Sequence, residues 1–165
     1  MDWESVPVST DAFKAAMRRF ATGVTIVTTK NGDTIHGFTV NAFASVTADP
    51  PTVLVCVNRT ARAHAMITES GGFCVNVLGV EQQYLAEKFQ GGEPHERFKD
   101  VVHRAGPSGS PILDDVIMYV DCNVSEEVSA GSHTIFIGEV LDIGERPGAP
   151  LGYYDRAYRN FAITE

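Results

Sequence analysis

The stretch best suited to chemistry is His36–Pro51, HGFTVNAFASVTADPP. An extended strand turns every second side chain to the same face. Here the small and polar residues Thr39, Asn41, Ala42 and Ser45 interleave with aromatics. Small side chains let a flat ligand come down onto the backbone, whose N–H and C=O groups can read its edge. The same pattern also suits a plain strand running into the turn at Asp49-Pro50-Pro51. No residues are spaced for chemistry of their own. The chain has no G-x-G-x-x-G after a strand, no Walker loop, no H-E-x-x-H and no G-x-S-x-G. The hard chemistry of any enzyme built on this chain therefore falls to a cofactor. Cys56, Cys74 and Cys122 each sit in an apolar, β-rich run. Their odd count and spacing argue against a disulfide framework or zinc, and they read as buried small side chains.

The elements that must position this stretch can be read along the chain. Thr10–Phe20 is an amphipathic helix with Thr10 as its N-cap, because Phe13, Ala16, Met17 and Phe20 share one face. Val24–Thr29 and Thr34–Phe43 form a hairpin around Asn31-Gly32-Asp33. Thr52–Val57 is a third strand, apolar on both faces and so central. Thr60–Glu69 is a helix stopped by Gly71-Gly72, Phe73–Leu78 a fourth strand, and Val80–Phe89 a further helix. Residues 91–111 read as a Gly/Pro-rich loop with a helical turn near Glu93–Phe98. Val116–Ser129 and His133–Ile143 are the longest β pair, and Leu151–Phe161 is a Tyr-rich tail. Hairpin-linked strands dominate, without the strand–helix alternation of a doubly wound sheet. The expected fold is mainly β: a six-stranded antiparallel barrel with peripheral helices, which leaves no exposed edges.

A length of 165 residues suits one domain spanning 1–165, and 44% apolar with 21% charged residues is ordinary for a soluble globular chain. The formal charge of −8 and the lack of any Lys/Arg run argue against a nucleic-acid surface. No apolar run approaches the length that spans a bilayer. MDWESVPVST lacks the basic-then-apolar layout of a secretion signal, so the expected location is cytoplasmic.

HGFTVNAFASVTADPP closely resembles the signature of the flavin reductase family, the FMN-binding split barrels that serve two-component monooxygenases. The resemblance continues through ATGVTIVTT, PTVLVCVN, SGGFCVNVL, ERF, SPIL and GSHTIFIGEV, from about Phe13 to Tyr158. It implies a Greek-key split barrel and a reductase that passes hydride from NADH or NADPH to FMN or FAD. Thr39-Val40-Asn41-Ala42 matches the segment whose backbone lines the flavin ring, and Ser45 matches a hydroxyl near the flavin phosphate. Asn58, Arg59, Thr60 and Arg62 fall where the family grips the phosphate. Arg forks and the N–H groups of a helix start suit that task. Phe89 and Phe98 resemble ring-side contacts.

By the same resemblance, His133 is a nicotinamide-site contact, although Ser132 stands where the family has Asp. The tail PLGYYDRAYRNF resembles the ending that closes over the nicotinamide, with Tyr153 and Tyr158 kept. Arg156 lies one place later than the usual Arg, whose position Asp155 takes. The family also implies a homodimer and a separate flavin-dependent monooxygenase as partner. The competing readings are a non-catalytic flavin carrier, an oxidase of small phosphorylated substrates, and a barrel without a ligand.

Overall fold

A computed structural model describes residues 7–161. The reading of MDWESVPVST as no secretion signal falls mostly outside the described residues.

The chain opens with α1 (Thr10–Met17) and a two-residue strand, β1 (Thr22–Gly23). There follow β2 (Thr25–Asn31), β3 (Thr34–Val40), β4 (Phe43–Ala48), β5 (Pro51–Asn58), α2 (Arg62–Ser70) and β6 (Gly72–Val77). A 3-10 turn at Val80–Gln82 leads into α3 (Gln83–Gln90), and a second turn covers Pro94–Glu96. Short strands β7 (His103–Ala105) and β8 (Pro111–Leu113) precede the long pair β9 (Met118–Ala130) and β10 (His133–Glu145). The tail folds back as a hairpin, β11 (Leu151–Tyr154) and β12 (Ala157–Asn160).

The main sheet is antiparallel and has seven strands in the order β3-β2-β6-β9-β10-β5-β4. The six expected strands are all present. The seventh arises because Thr34–Phe43 does not run through as one strand. Thr34–Val40 pairs with β2, whereas Phe43–Ala48 pairs with β5. Asn41-Ala42 is the crossing between them, and the Ala42 carbonyl accepts from the Cys56 N–H at 3.1 Å. The non-sequential pairs β2–β6 and β10–β5 supply the Greek-key crossovers.

The two end strands of this sheet share one core. Phe38 and Val40 of β3 and Phe43 of β4 pack on a cluster that includes Val27, Val55, Phe73 and Phe136. Helix α2 closes that cluster by inserting Ala63 and Ile67. Gly71 ends the helix in the left-handed region, φ 68°, which glycine enters without a Cβ penalty. A second core on the other side of β2 gathers Ile26, Leu78, Leu85, Phe89, Leu113 and Leu151. Here α3 lies against β3 so closely that a Cβ on Gly37 would fall 2.6 Å from the Phe89 ring.

Two helix starts differ from expectation. Ser9, not Thr10, caps α1, and its hydroxyl accepts from the Ala12 N–H at 3.2 Å. Thr60 lies in a turn ahead of α2, since the Asn58 side chain has captured its N–H and hydroxyl, both at 2.9 Å. Helix α1 buries none of its residues, and Phe13, Met17 and Phe20 are all more than half exposed.

Candidate functional site

The crossing at Asn41-Ala42 is where the concave surfaces meet. Asn41 borders three of them. The largest is an apolar groove of about 670 Å³ that runs past Gly23, Ala42, Ala44, Leu54, Cys56 and Met118. A narrower cleft of about 130 Å³ lies between Thr39-Val40-Asn41 on one side and Tyr153 and Tyr158 on the other. The third, about 270 Å³, separates α1 from Tyr154-Asp155-Arg156. Asn41 and Ala42 are exposed, although their carbonyls already accept from the Phe43 and Cys56 N–H groups, both at 3.1 Å. Thr39 is less available, because its hydroxyl donates to the Ala86 carbonyl at 2.6 Å and ties β3 to α3.

The tail supplies aromatic walls. The Tyr153 and Tyr158 rings meet edge-on, 5.7 Å apart. The Tyr158 hydroxyl donates to Gln90 Oε1 at 3.2 Å. Burial, with Glu87 and Tyr153 adding to it, raises the Tyr158 phenol above its usual range, so it stays protonated and keeps this bond. The turn between β11 and β12 places Asp155 and Arg156 at φ 48° and 62°. That turn is held to α1 by the Asp155 N–H on the Arg18 carbonyl and by an ion pair of Arg19 with Asp155 at 3.6 Å. Arg156 is exposed beside the third concavity.

A different set gathers at the far end of β5. His133 is the ladder partner of Asn58, and the Arg59 N–H donates to the Ser132 carbonyl at 3.0 Å. The Ser132 hydroxyl lies 2.9 Å from His133 Nδ1, so the serine holds the ring although it is not the usual carboxylate. His133, Asn58, Arg59 and Thr60 are all exposed. Ser45 is exposed on β4, opposite Val53. Within one chain, then, His133 stands with Asn58, Arg59 and Thr60. Tyr153 and Tyr158 stand with Thr39, Val40 and Asn41. The sequence resemblance had grouped His133 with the tyrosines.

Arg62 joins neither set. It is the first residue of α2 and borders a cavity of about 270 Å³ together with His36 and Arg97, two residues to which sequence reasoning gave no role. Arg97 Nη1 donates to the Gly37 carbonyl at 2.9 Å and Nε to the Gly91 carbonyl at 3.1 Å. Burial foremost, then the charges of Arg97 and Arg62, lower the His36 pKa to about 4, which leaves the imidazole neutral at neutral pH. Phe89 is fully buried and walls the same cavity, with Phe98 edge-on to it at 5.1 Å. The signals that could have pointed to Arg97 and His36 were the ERF segment and the first residue of the HGFTVN run.

The cysteines are free. Cys74 and Cys122 are buried as expected, and burial pushes both thiols up, Cys122 to about 12. Cys56 departs from expectation: it is only half-buried and borders the apolar groove.

Residues 17–162 match the family described as "Flavin reductase like domain". The chain belongs to this family. It is 43% identical over 155 residues to the FMN reductase (NADH) RutF of Pseudomonas syringae pv. syringae, covering 93% of this chain and 87% of that protein. It is 33% identical over 157 residues to the reductase subunit HsaB of a flavin-dependent monooxygenase of Mycobacterium tuberculosis, covering 93% and 83%. Among solved structures it resembles the NADH:FAD oxidoreductase SgcE6 of Streptomyces globisporus C-1027 in complex with NAD and FAD fragments. The TM-score is 0.87 at 31% identity, with 96% of this chain and 98% of that one covered.

Proposed function

We propose that this chain is an NADH:flavin oxidoreductase that reduces FMN and hands the reduced flavin to a partner monooxygenase. The single observation that carries the reading is the Asn41-Ala42 crossing. There, the exposed Asn41 and Ala42 sit between an apolar groove and a tyrosine-walled cleft. The combined space suits a flat aromatic ligand, since the groove alone falls in the usual range for small-molecule sites. A further observation supports the fit. Thr22 Oγ1, beside the same groove, is enclosed with no hydrogen-bond partner among the described residues, and an enclosed polar atom calls for a partner.

The bound flavin supplies the acceptor, taking hydride from the dihydronicotinamide. The chain's task is to hold two rings in register and keep water out, which can lower a barrier by several kcal/mol. Peptide N–H groups around Asn41 and Ala42 are placed to oppose negative charge that develops on a ring lying against them. Tyr153 and Tyr158 bound the other side of the cleft and restrict what stacks there. Asn58, Arg59, Thr60, Ser45 and His133 offer hydroxyl, guanidinium and amide donors to the polar parts of the two nucleotides. No side chain needs to act as nucleophile or strong acid.

The working unit in this reading is a homodimer. Helix α1 has eight residues, none of them buried, and an isolated helix that short is marginal in water. Its exposed Met17 and the exposed Phe20 just after it adjoin the apolar groove, with Phe13 exposed nearby, and a second copy of the chain covers this face. FAD serves as an alternative acceptor through the same ring site. No helix among the described residues is long and apolar enough to cross a membrane, and a cytoplasmic location fits an NADH-consuming enzyme. Steady-state NADH oxidation with each flavin tests the reading.

A further inference from the structure

The cleft between Thr39–Asn41 and the two tyrosines has no carboxylate, lysine or arginine in its lining. Its polar side chains are neutral: the Thr39 hydroxyl, two phenols and the amides of Asn41 and Gln90. The Thr39 hydroxyl is spent on the Ala86 carbonyl at 2.6 Å. The Tyr158 hydroxyl is spent on Gln90 Oε1 at 3.2 Å. Gln90, to which sequence reasoning assigned no role, keeps both Nε2 hydrogens without a partner among the described residues.

The position of that donor is constrained. Gln90 is the last residue of α3, and the Gly91 N–H on the Glu87 carbonyl at 3.2 Å anchors its backbone. Its side chain borders both the cleft and the cavity beside His36, but Tyr158 lines the cleft and not that cavity. The bond to Tyr158 therefore draws the amide head to the cleft side. Burial foremost, then Glu87 and Tyr153, keeps the phenol protonated and able to donate. A donor bound at Oε1 settles which way the amide faces, with Nε2 turned away from the phenol.

Size narrows the ligand. The cleft holds about 130 Å³, and a cavity of roughly 150 Å³ takes one benzene ring. One six-membered ring with a small substituent fits here, whereas a tricyclic ring needs the groove of about 670 Å³ alongside. A neutral slot with a free amide donor matches a ring carboxamide. It offers a phosphate none of the charged donors that anion prefers.

We propose that Gln90 is a specificity-determining residue of the reductase: its Nε2–H donates to the carboxamide oxygen of the dihydronicotinamide, and Tyr158 holds the amide in that orientation. The proposal rests on the reductase reading for its ligand. A hydrogen bond at the carboxamide fixes the rotation of the ring in its own plane, and with it the position of the carbon that gives up hydride.

The test is Gln90→Met, which keeps the length of an exposed side chain and removes both of its polar atoms. Steady-state rates are measured with NADH and with its reduced thionicotinamide analogue, whose C=S accepts hydrogen bonds poorly. The ratio of the two kcat/KM values is compared between native protein and variant, which cancels the intrinsic difference between the hydride donors. The ratio should shrink by about threefold to tenfold in Gln90→Met, the scale of one hydrogen bond, with the FMN KM unchanged. Tyr158→Phe, which frees the amide to turn, should shrink it by less. A merely structural role would lower both rates together and leave the ratio as it was.

An unchanged ratio, or an effect on the FMN KM alone, overturns the proposal. Fluorescence titration of the flavin-free protein with NADH separates it from the reading beneath it. An active reductase with an unchanged ratio sinks the role of Gln90 alone. A protein that binds NADH several-fold more weakly after Gln90→Met, yet oxidises none in either form, sinks the reductase reading alone. A native protein that neither binds nor oxidises NADH sinks both.

Discussion

His133 stands directly across the β10–β5 ladder from Asn58, and the next peptide link, Arg59 N–H to Ser132 C=O, locks the two turns together. Side chains that close share ligand contacts and do not act independently. His133→Ala and Asn58→Ala should therefore raise the KM of the same ligand. Expressed as free energies, their combined effect should fall short of the sum of the single effects by at least about 0.5 kcal/mol. Steady-state kinetics on the two single variants and the double variant checks this. Effects on different ligands, or strict additivity, would separate the two residues functionally.

The apolar face of α1 predicts an association equilibrium. Met17 and Phe20 are exposed in the single chain, and covering each such side chain is worth about 1.5–3 kcal/mol. Met17→Lys combined with Phe20→Asp should shift the protein to monomers, read by sedimentation equilibrium, and should lower flavin affinity if the partner copy helps to enclose the groove. A native protein that sediments as a monomer would remove the dimer from the account.

Gly37 is fitted to Phe89. A Cβ there would lie 2.6 Å from a ring that is fully buried and cannot swing aside. Gly37→Ala should destabilise the fold by about 1–3 kcal/mol through overpacking, measured as a lower urea midpoint. It should also loosen α3 on β3, and with it the walls of the cavity bordered by His36 and Arg97. An unchanged midpoint would show that α3 has slack.

His36 predicts an acid-side loss of stability. Its folded pKa, about 4, lies below the ordinary 6.5, so between these values the unfolded chain binds the extra proton. Stability then rises with pH across that window and is lost as pH falls from about 6.5 to about 4. The raised carboxyl of Asp121, chiefly a burial effect, works in the opposite sense, so the comparison must be against His36→Asn. That variant should show a flatter stability profile between pH 4 and 6.5. Parallel profiles would mean that His36 titrates normally.

Much of the frame was legible in residue types. Asn31-Gly32 marked the β2–β3 turn, and Gly32 does sit at φ 56°. Gly71 marked the end of α2, and the β-branched runs marked the strands. The break at Asn41-Ala42 was not legible, because TVNAFASV reads as continuous β with no glycine or proline. Only its pairing partners, β2 before and β5 after, divide it. The tail hairpin was hidden for a related reason: its left-handed positions are held by Asp155 and Arg156 rather than glycine. The strands β7 and β8 were lost in a Gly/Pro-rich loop, where three residues each are too few for an alternation to show.

Among the site residues, chain order placed Thr39–Ala42 and Asn58–Thr60 but could not say which set His133 or the tyrosines would join. That depends on the antiparallel register of β10 on β5 and of β11 on β1. Arg97 comes to the Gly37 carbonyl, next to His36, through a loop between α3 and β7, a contact sixty residues apart that no local pattern encodes.

The most direct test of the whole account is the rate of NADH oxidation by the purified protein, followed by the loss of NADH absorbance, with FMN and with FAD. The expected result is flavin-dependent turnover that saturates in both NADH and FMN. No acceleration over free flavin, with either flavin and with NADPH tried in place of NADH, would contradict it.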